Sequence, residues 1–176
     1  ENKGDGIAFS ENDRLGGSDP YSASKAAAEI VTTAYRESFS GDEGFPGVAT
    51  ARAGNVIGGG DWAENRIVPD CIRALRERSP VRLRNPLSVR PFQHVLEPLY
   101  GYLLLAGKIL ERKESFSGAW NFGPVYERGH TVKELADGII KTWGSGSVVT
   151  VDNPYANHEA PYLTLEITRA RTLLGW

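Results

Sequence analysis

The chain contains one cysteine in 176 residues, so no disulfide within it can contribute to its stability. A lone thiol fits a reducing cytoplasm, which is the compartment we expect. Cys71 sits in an apolar helical pattern, which predicts a buried structural thiol rather than a nucleophile. Histidine is scarce as well. His94, His130 and His158 lie far apart in sequence and show no metal-ligand spacing with Cys or Asp, so no metal is expected. A dominant charge is also missing. With a formal net charge of -2 there is no basic field to recruit nucleic acid or an anionic membrane. The longest apolar run, Tyr102–Ala106, falls far short of the roughly 20 residues that cross a bilayer, and no signal-peptide pattern opens the chain. What is present is an ordinary globular composition, 40% hydrophobic and 24% charged, with 20 Gly and 10 Pro.

The order of patterns along the chain predicts an α/β protein. Residues 1–17 are polar and Gly-rich and read as a loop. Asp19 and Pro20 then supply an N-cap and a first helical residue for a helix over Tyr21–Phe39. Val48–Ala53 reads as a strand, followed by a glycine-rich turn through Gly58-Gly59-Gly60. A helix is expected over Ile67–Arg78, a strand over Val81–Arg84, a short strand near Gln93–Val95 and a helix over Pro98–Leu110. That third helix is expected to bury Leu99, Leu103, Ala106 and Leu110. Ala119–Phe122 and Val148–Val151 read as strands. Thr131, with Glu134 at the capping-box position, opens a helix to Trp143, and Thr168 caps a last helix closed by Gly175. Basic residues cluster from Arg73 to Arg90, which suits a small anionic ligand.

The chemistry begins at Tyr21 and Lys25. A spacing of four places both side chains on one face of the first helix. A phenol is a poor base near neutrality unless a fixed cation stabilises its phenolate, and a lysine one turn away is such a cation. Together they can remove a proton from an alcohol while hydride leaves the same carbon. Seven tyrosines in a chain of this size make about 0.2 chance Tyr-x-x-x-Lys matches, so the pair depends on its context. Tyr21, Lys25, Ala28 and Thr32 form one stripe; Ala23, Ala27, Ile30 and Ala34 form another, small enough for close helix packing within the fold or across a dimer. Gly58-Gly59-Gly60 lacks the Lys-Ser/Thr of a P-loop and reads as backbone room beside a ligand.

Pro20-Tyr21-Ser22-Ala23-Ser24-Lys25-Ala26-Ala27-Ala28-Glu29 resembles the catalytic helix of extended short-chain dehydrogenases/reductases that act on sugar nucleotides. Further on, Ala51-Arg52-Ala53-Gly54-Asn55-Val56-Ile57-Gly58-Gly59-Gly60-Asp61-Trp62 is similar to the form found in the CDP-glucose 4,6-dehydratase branch. So are Arg84-Asn85-Pro86 and Arg90-Pro91-Phe92-Gln93-His94-Val95-Leu96-Glu97-Pro98. Gly118-Ala119-Trp120-Asn121-Phe122-Gly123-Pro124 and Leu173-Leu174-Gly175-Trp176 follow in the same order. The resemblance spans nearly the whole chain.

That resemblance implies the C-terminal part of a Rossmann-type doubly wound domain plus a smaller α/β substrate-binding domain. Residues 1–60 would belong to the NAD-binding domain and 61–176 mainly to the sugar-nucleotide domain, with about 92–123 returning to the first. It also implies that Tyr21 and Lys25 are catalytic and touch NAD. Asn55, Arg66, Arg84, Asn85, Arg90 and Asn121 would bind CDP-glucose, Arg90 as the pyrophosphate clamp. A turn asparagine at Asn55 and a solvated arginine at Arg90 are the plainer alternatives. His94 would serve hydrogen bonding or substrate shaping. The implied reaction converts CDP-glucose to CDP-4-keto-6-deoxyglucose, feeding deoxyhexose synthesis for bacterial surface polysaccharides such as O-antigen lipopolysaccharide, in a homodimer or tetramer. The Gly-x-x-Gly-x-x-Gly turn that binds the dinucleotide in this family is not found in these residues. Nor are the Ser/Thr partner of the tyrosine and the acid/base pair of the elimination. The chain is therefore expected to be a fragment that does not turn over alone. A sugar-nucleotide epimerase and a non-catalytic module of the same fold are the competing readings.

Overall fold

The computed structural model describes residues 6–17, 19–111, 113–125, 129–152 and 160–176. Among them, helices and mostly parallel strand pairs alternate, as an α/β fold requires. His158 lies outside the described residues.

The first helix, α1, covers Pro20–Phe39 and starts where its chemistry says it should. Asp19 is extended and its carboxylate accepts from the Tyr21 and Ser22 N–H groups at 2.9 and 3.0 Å, filling two of the orphan donors of the first turn. The Ser22 hydroxyl also donates to Asp19 and, with that backbone bond, holds its carboxyl below the usual range. Strand β1 (Ala49–Ala53) follows, then a two-residue β2 (Val56–Ile57), helix α2 (Ile67–Arg76) and β3 (Val81–Leu83). Beyond them come β4 (Val89–Arg90), β5 (Gln93–His94), α3 (Leu96–Glu111), α4 (Lys113–Phe116), β6 (Gly118–Phe122) and β7 (His130–Thr131). The order closes with α5 (Val132–Trp143), β8 (Val148–Thr150) and a π-type helical turn over Ala170–Leu174. Pairing is parallel for β1 with β6, β2 with β5 and β3 with β8, and antiparallel for β4 with β7. The two-residue strands β2, β4 and β7 carry too little periodicity to be read from sequence.

Two apolar cores form. Cys71, Leu75, Val81, Leu83 and Ala136 join α2, β3 and α5, with Val148 of β8 packed against them. Cys71 is fully buried there, and burial pushes its thiol up to about 11, which leaves it protonated and inert at neutral pH. The second core gathers Leu105, Trp120, Phe122, Ala170 and Leu174 from α3, β6 and the closing turn. Trp120 stacks on Phe116 with ring centroids 5.9 Å apart, while Tyr102 and Trp176 meet Phe122 edge-on at 5.3 and 5.2 Å.

Two local expectations are corrected. Helix α3 does not bury Leu99, Leu103, Ala106 and Leu110; Leu103 is 73% and Leu110 89% exposed, whereas Leu105 is 4% exposed. The helix is apolar nearly all round, so its period selects no face. Gly101 does: a Cβ there would lie 2.4 Å from the Phe122 ring, so only the glycine face can seat against β6. At the C-terminus, the Thr168 N–H is capped by Glu166 Oε1 at 2.7 Å, so Glu166 rather than Thr168 opens the last helix. Thr131 and Glu134 form the expected reciprocal capping box, and Gly144 ends α5 at φ 93°. No helix of the described residues is long and apolar enough to cross a membrane.

Candidate functional site

The Asp19–Pro20 start aims the first turn of α1. Tyr21 and Lys25 project from one face, with Lys25 Nζ 5.6 Å from the centre of the Tyr21 ring. Tyr21 is 71% exposed. Neither its hydroxyl nor the ammonium has a hydrogen-bond or carboxylate partner among the described residues. Both reactive groups are thus held close and left available.

The packed face of α1 is neither of the two stripes expected. It runs through Ser22, Ala26, Glu29 and Thr33, and the Ala23–Ala27–Ile30–Ala34 stripe stays exposed. The reason is polar. Glu29 takes both Arg52 Nε and Nη2, at 2.9 and 2.8 Å, together with the Thr50 hydroxyl at 2.8 Å. Arg52 and Thr50 lie on β1, so this ion pair sets α1 against the strand that runs into the glycine-rich turn. The Arg52 hydrogen bonds outweigh burial and hold the Glu29 carboxyl below the usual range.

That turn opens onto a cleft of about 720 Å³. Asn55, Arg66, Arg84, Asn85 and Arg90, five of the six expected substrate-binding residues, line it together. Their convergence rests on close backbone approach. A Cβ on Gly54 would sit 2.6 Å from the Pro91 carbonyl oxygen, so glycine lets the β1–β2 turn lie against the segment after Arg90. The Gln93 N–H then donates to the Asn55 carbonyl at 2.9 Å. Gly58 makes similar room for Val95, and Gly60 turns the chain at φ 82°. Arg66 precedes α2 in extended geometry. Arg73 donates to the Trp62 and Ala63 carbonyls, pinning the intervening loop onto α2. Arg90 is only 8% exposed, its Nη1 donating to the Val89 carbonyl at 2.8 Å.

Asn121 does not join the cleft. It is 1% exposed, its Nδ2 donates to the Phe9 and Glu166 carbonyls at 3.0 and 3.3 Å, and its N–H donates to Glu11 Oε1. It fastens loop 9–11 and the C-terminal segment to β6, a structural task for a polar side chain in an apolar strand. His94 is exposed and its Nδ1 accepts from the Leu96 N–H at 3.3 Å, at the start of α3. Among the further lining residues that sequence reasoning did not single out are Trp62, Arg82 and Phe92. Arg82 was within reach, since Val81-Arg82-Leu83-Arg84 alternates and puts both arginines on one side.

Comparison with known proteins finds similar chains. A protein from Salmonella typhimurium (strain LT2) described as CDP-glucose 4,6-dehydratase is 44% identical over 172 residues, which are 96% of this chain and 48% of the relative. The chain thus spans about half the length of that relative. A dTDP-glucose 4,6-dehydratase from Streptomyces venezuelae, solved with NAD bound, superposes at a TM-score of 0.81 with 20% identity, over 98% of this chain and 50% of that one. A UDP-glucuronic acid 4-epimerase from Bacillus cereus, solved with UDP-glucuronic acid and NAD, gives 0.80 at 18% identity, over 97% and 51%. At these identities the solved structures speak for the fold alone: the Rossmann-like α/β architecture of such enzymes. The sequence profile of the NAD dependent epimerase/dehydratase family matches residues 2–117. With its Tyr-x-x-x-Lys helix, its arginine-lined cleft and this match over most of its length, the chain belongs to the NAD dependent epimerase/dehydratase family.

Proposed function

We propose that this chain is the catalytic-helix and sugar-nucleotide half of an NAD-dependent CDP-glucose 4,6-dehydratase. The observation that carries the reading is the pairing of an unencumbered Tyr21–Lys25 with a separate cleft that gathers Asn55, Arg66, Arg84, Asn85 and Arg90. The 44% identical CDP-glucose 4,6-dehydratase relative supports the choice of base and reaction.

The residues present fit NAD. Lys25 offers three donors with no acceptor among the described residues, as a ribose diol requires, and Tyr21 stands exposed beside it. When bound, NAD supplies the hydride acceptor at the sugar C4 and the hydride donor at C6. Tyr21 takes the proton of the 4-hydroxyl and, because the product keeps its C4 ketone, releases it to solvent rather than back to that oxygen. Lys25 stabilises the phenolate through its fixed charge and orients the ribose. Once C4 is a ketone the C5 proton is acidified, so water can leave across C5 and C6. Arg90 holds the pyrophosphate, for which a planar fork is suited, while Asn55 and Arg66 bind beside it and Arg84 with Asn85 lie near the base.

The two apolar cores support a division into two bodies, residues 1–60 with about 92–123 in one and most of 61–176 in the other. On that division Ala170–Leu174 packs with the first body. The exposed Ala23–Ala27–Ile30–Ala34 face supports pairing of this helix in a homodimer or tetramer. We place the enzyme in the cytoplasm, supplying deoxyhexose units for O-antigen and related lipopolysaccharide.

The test supplies CDP-glucose and dTDP-glucose separately to a protein that contains this chain and a complete dinucleotide site, and looks for the 4-keto-6-deoxy product. Turnover of CDP-glucose, abolished by Tyr21→Phe, is expected. Preference for dTDP-glucose would sink the choice of base, and full turnover by Tyr21→Phe would remove the proposed proton acceptor.

A further inference from the structure

Five guanidiniums line the cleft, those of Arg66, Arg73, Arg82, Arg84 and Arg90, against three carboxylates, Asp61, Asp70 and Glu77. This is a local excess of positive charge in a chain whose net charge is -2. Protein contacts account for only some of it. Arg73 is engaged by Asp70 and two carbonyls, and Arg90 by the Val89 carbonyl. The guanidiniums of Arg66, Arg82 and Arg84 have no hydrogen-bond or carboxylate partner among the described residues.

Arg82 stands out because the fold had other options for it. On β3 the side chains of Val81 and Leu83 are 1% and 2% exposed inside the α2–α5 core, so Arg82 and Arg84 share the opposite side. Two like charges two residues apart on one strand face repel each other in the free protein, and neither is neutralised. A solvated strand face needs no concavity around such a pair, yet here a third free guanidinium, that of Arg66, lines the same cleft. Unpaired guanidiniums converging on one cavity are the electrostatic signature of an oxyanion ligand with more than one charge.

We propose that Arg82 is a further binding residue, holding the diphosphate of the nucleotide-sugar from β3 while Arg90 holds it from β4. The proposal rests on the reading of the cleft as a sugar-nucleotide site. It adds that the anion-binding half of the site works without a dinucleotide.

The experiment is calorimetric titration of the 176-residue chain at low salt with CDP, CDP-glucose, inorganic pyrophosphate and cytidine. Wild-type protein is expected to bind the first three. Arg82→Ala should weaken each of these about 10-fold and leave any cytidine signal unchanged, with Arg82→Lys recovering part of the loss. Circular dichroism confirms that each variant is folded; should Arg82→Ala unfold, Arg82→Gln carries the same test. Unaltered pyrophosphate and CDP affinity in a folded variant would overturn the role of Arg82 while leaving the sugar-nucleotide reading in place. A parallel titration with UDP tests the base: equal affinity for CDP and UDP, with both weakened by Arg82→Ala, would undo the base assignment and leave Arg82 standing. Absence of any phosphate-dependent binding by the wild-type chain would overturn the proposal outright.

Discussion

The Glu29–Arg52 pair is the contact on which the placement of α1 depends. Glu29→Ala removes an acceptor that holds Arg52 through two hydrogen bonds and Thr50 through a third. The Arg52 and Glu29 side chains are only 24% and 16% exposed, so water replaces those bonds poorly. Truncation leaves a largely buried guanidinium held by the Glu11 carbonyl, at 3.2 Å. Charge-assisted bonds in such a setting carry about 1.5–3 kcal/mol each before compensation, and stranding a partner adds its desolvation. We expect Glu29→Ala to lose about 2–4 kcal/mol in urea unfolding, and a Glu29→Ala/Arg52→Ala cycle to return about 1–3 kcal/mol of coupling. Acid titration supplies a second check. The Glu29 carboxyl is held below its ordinary value of 4.5, chiefly by the Arg52 hydrogen bonds, with burial opposing and the Thr50 hydroxyl adding. A depressed folded value means the unfolded chain takes up the proton first. The contribution is therefore complete above about 4.5 and is lost as pH falls through the folded value below it. Wild-type stability should fall more steeply in that window than that of Glu29→Gln. Coupling below about 0.5 kcal/mol, or parallel acid slopes, would show that α1 is held by something else.

Gly101→Ala should destabilise the chain by about 1–3 kcal/mol in urea, because the added methyl meets the Phe122 ring and α3 must lift from β6. An unshifted midpoint would mean that α3 is not seated on that face. Asn121→Leu should cost about 2–3 kcal/mol by stranding the Phe9 and Glu166 carbonyls. It should leave the affinity of folded protein for CDP unchanged, whereas a selective loss of affinity would return Asn121 to the ligand.

Much of the site was readable because its signals are local. Asp19-Pro20 announces a helix start by capping chemistry, Tyr21 and Lys25 share a face by helical pitch, and Thr131 with Glu134 writes out a capping box. The segments around Asn55 and Arg90 could be matched by residue type alone. Other features depend on which surfaces meet. A helix as evenly apolar as α3 contains no preference for a face, and only the ring of Phe122 against Gly101 chooses one. The face of α1 that packs was decided by Arg52 and Thr50 on another strand, more than twenty residues away, and periodicity within the helix carries no trace of them. Asn121 was expected at the ligand because it matches a position of the resembled family; its side chain is instead buried against the carbonyls of Phe9 and Glu166. Sequence by itself determined the longer elements, the caps at Asp19 and Thr131 and the chemical kind of the candidate groups, since these follow from backbone propensity and spacing. Tertiary structure alone decided which arginines converge on one cleft and which go unpaired, because convergence and pairing are properties of distance in space.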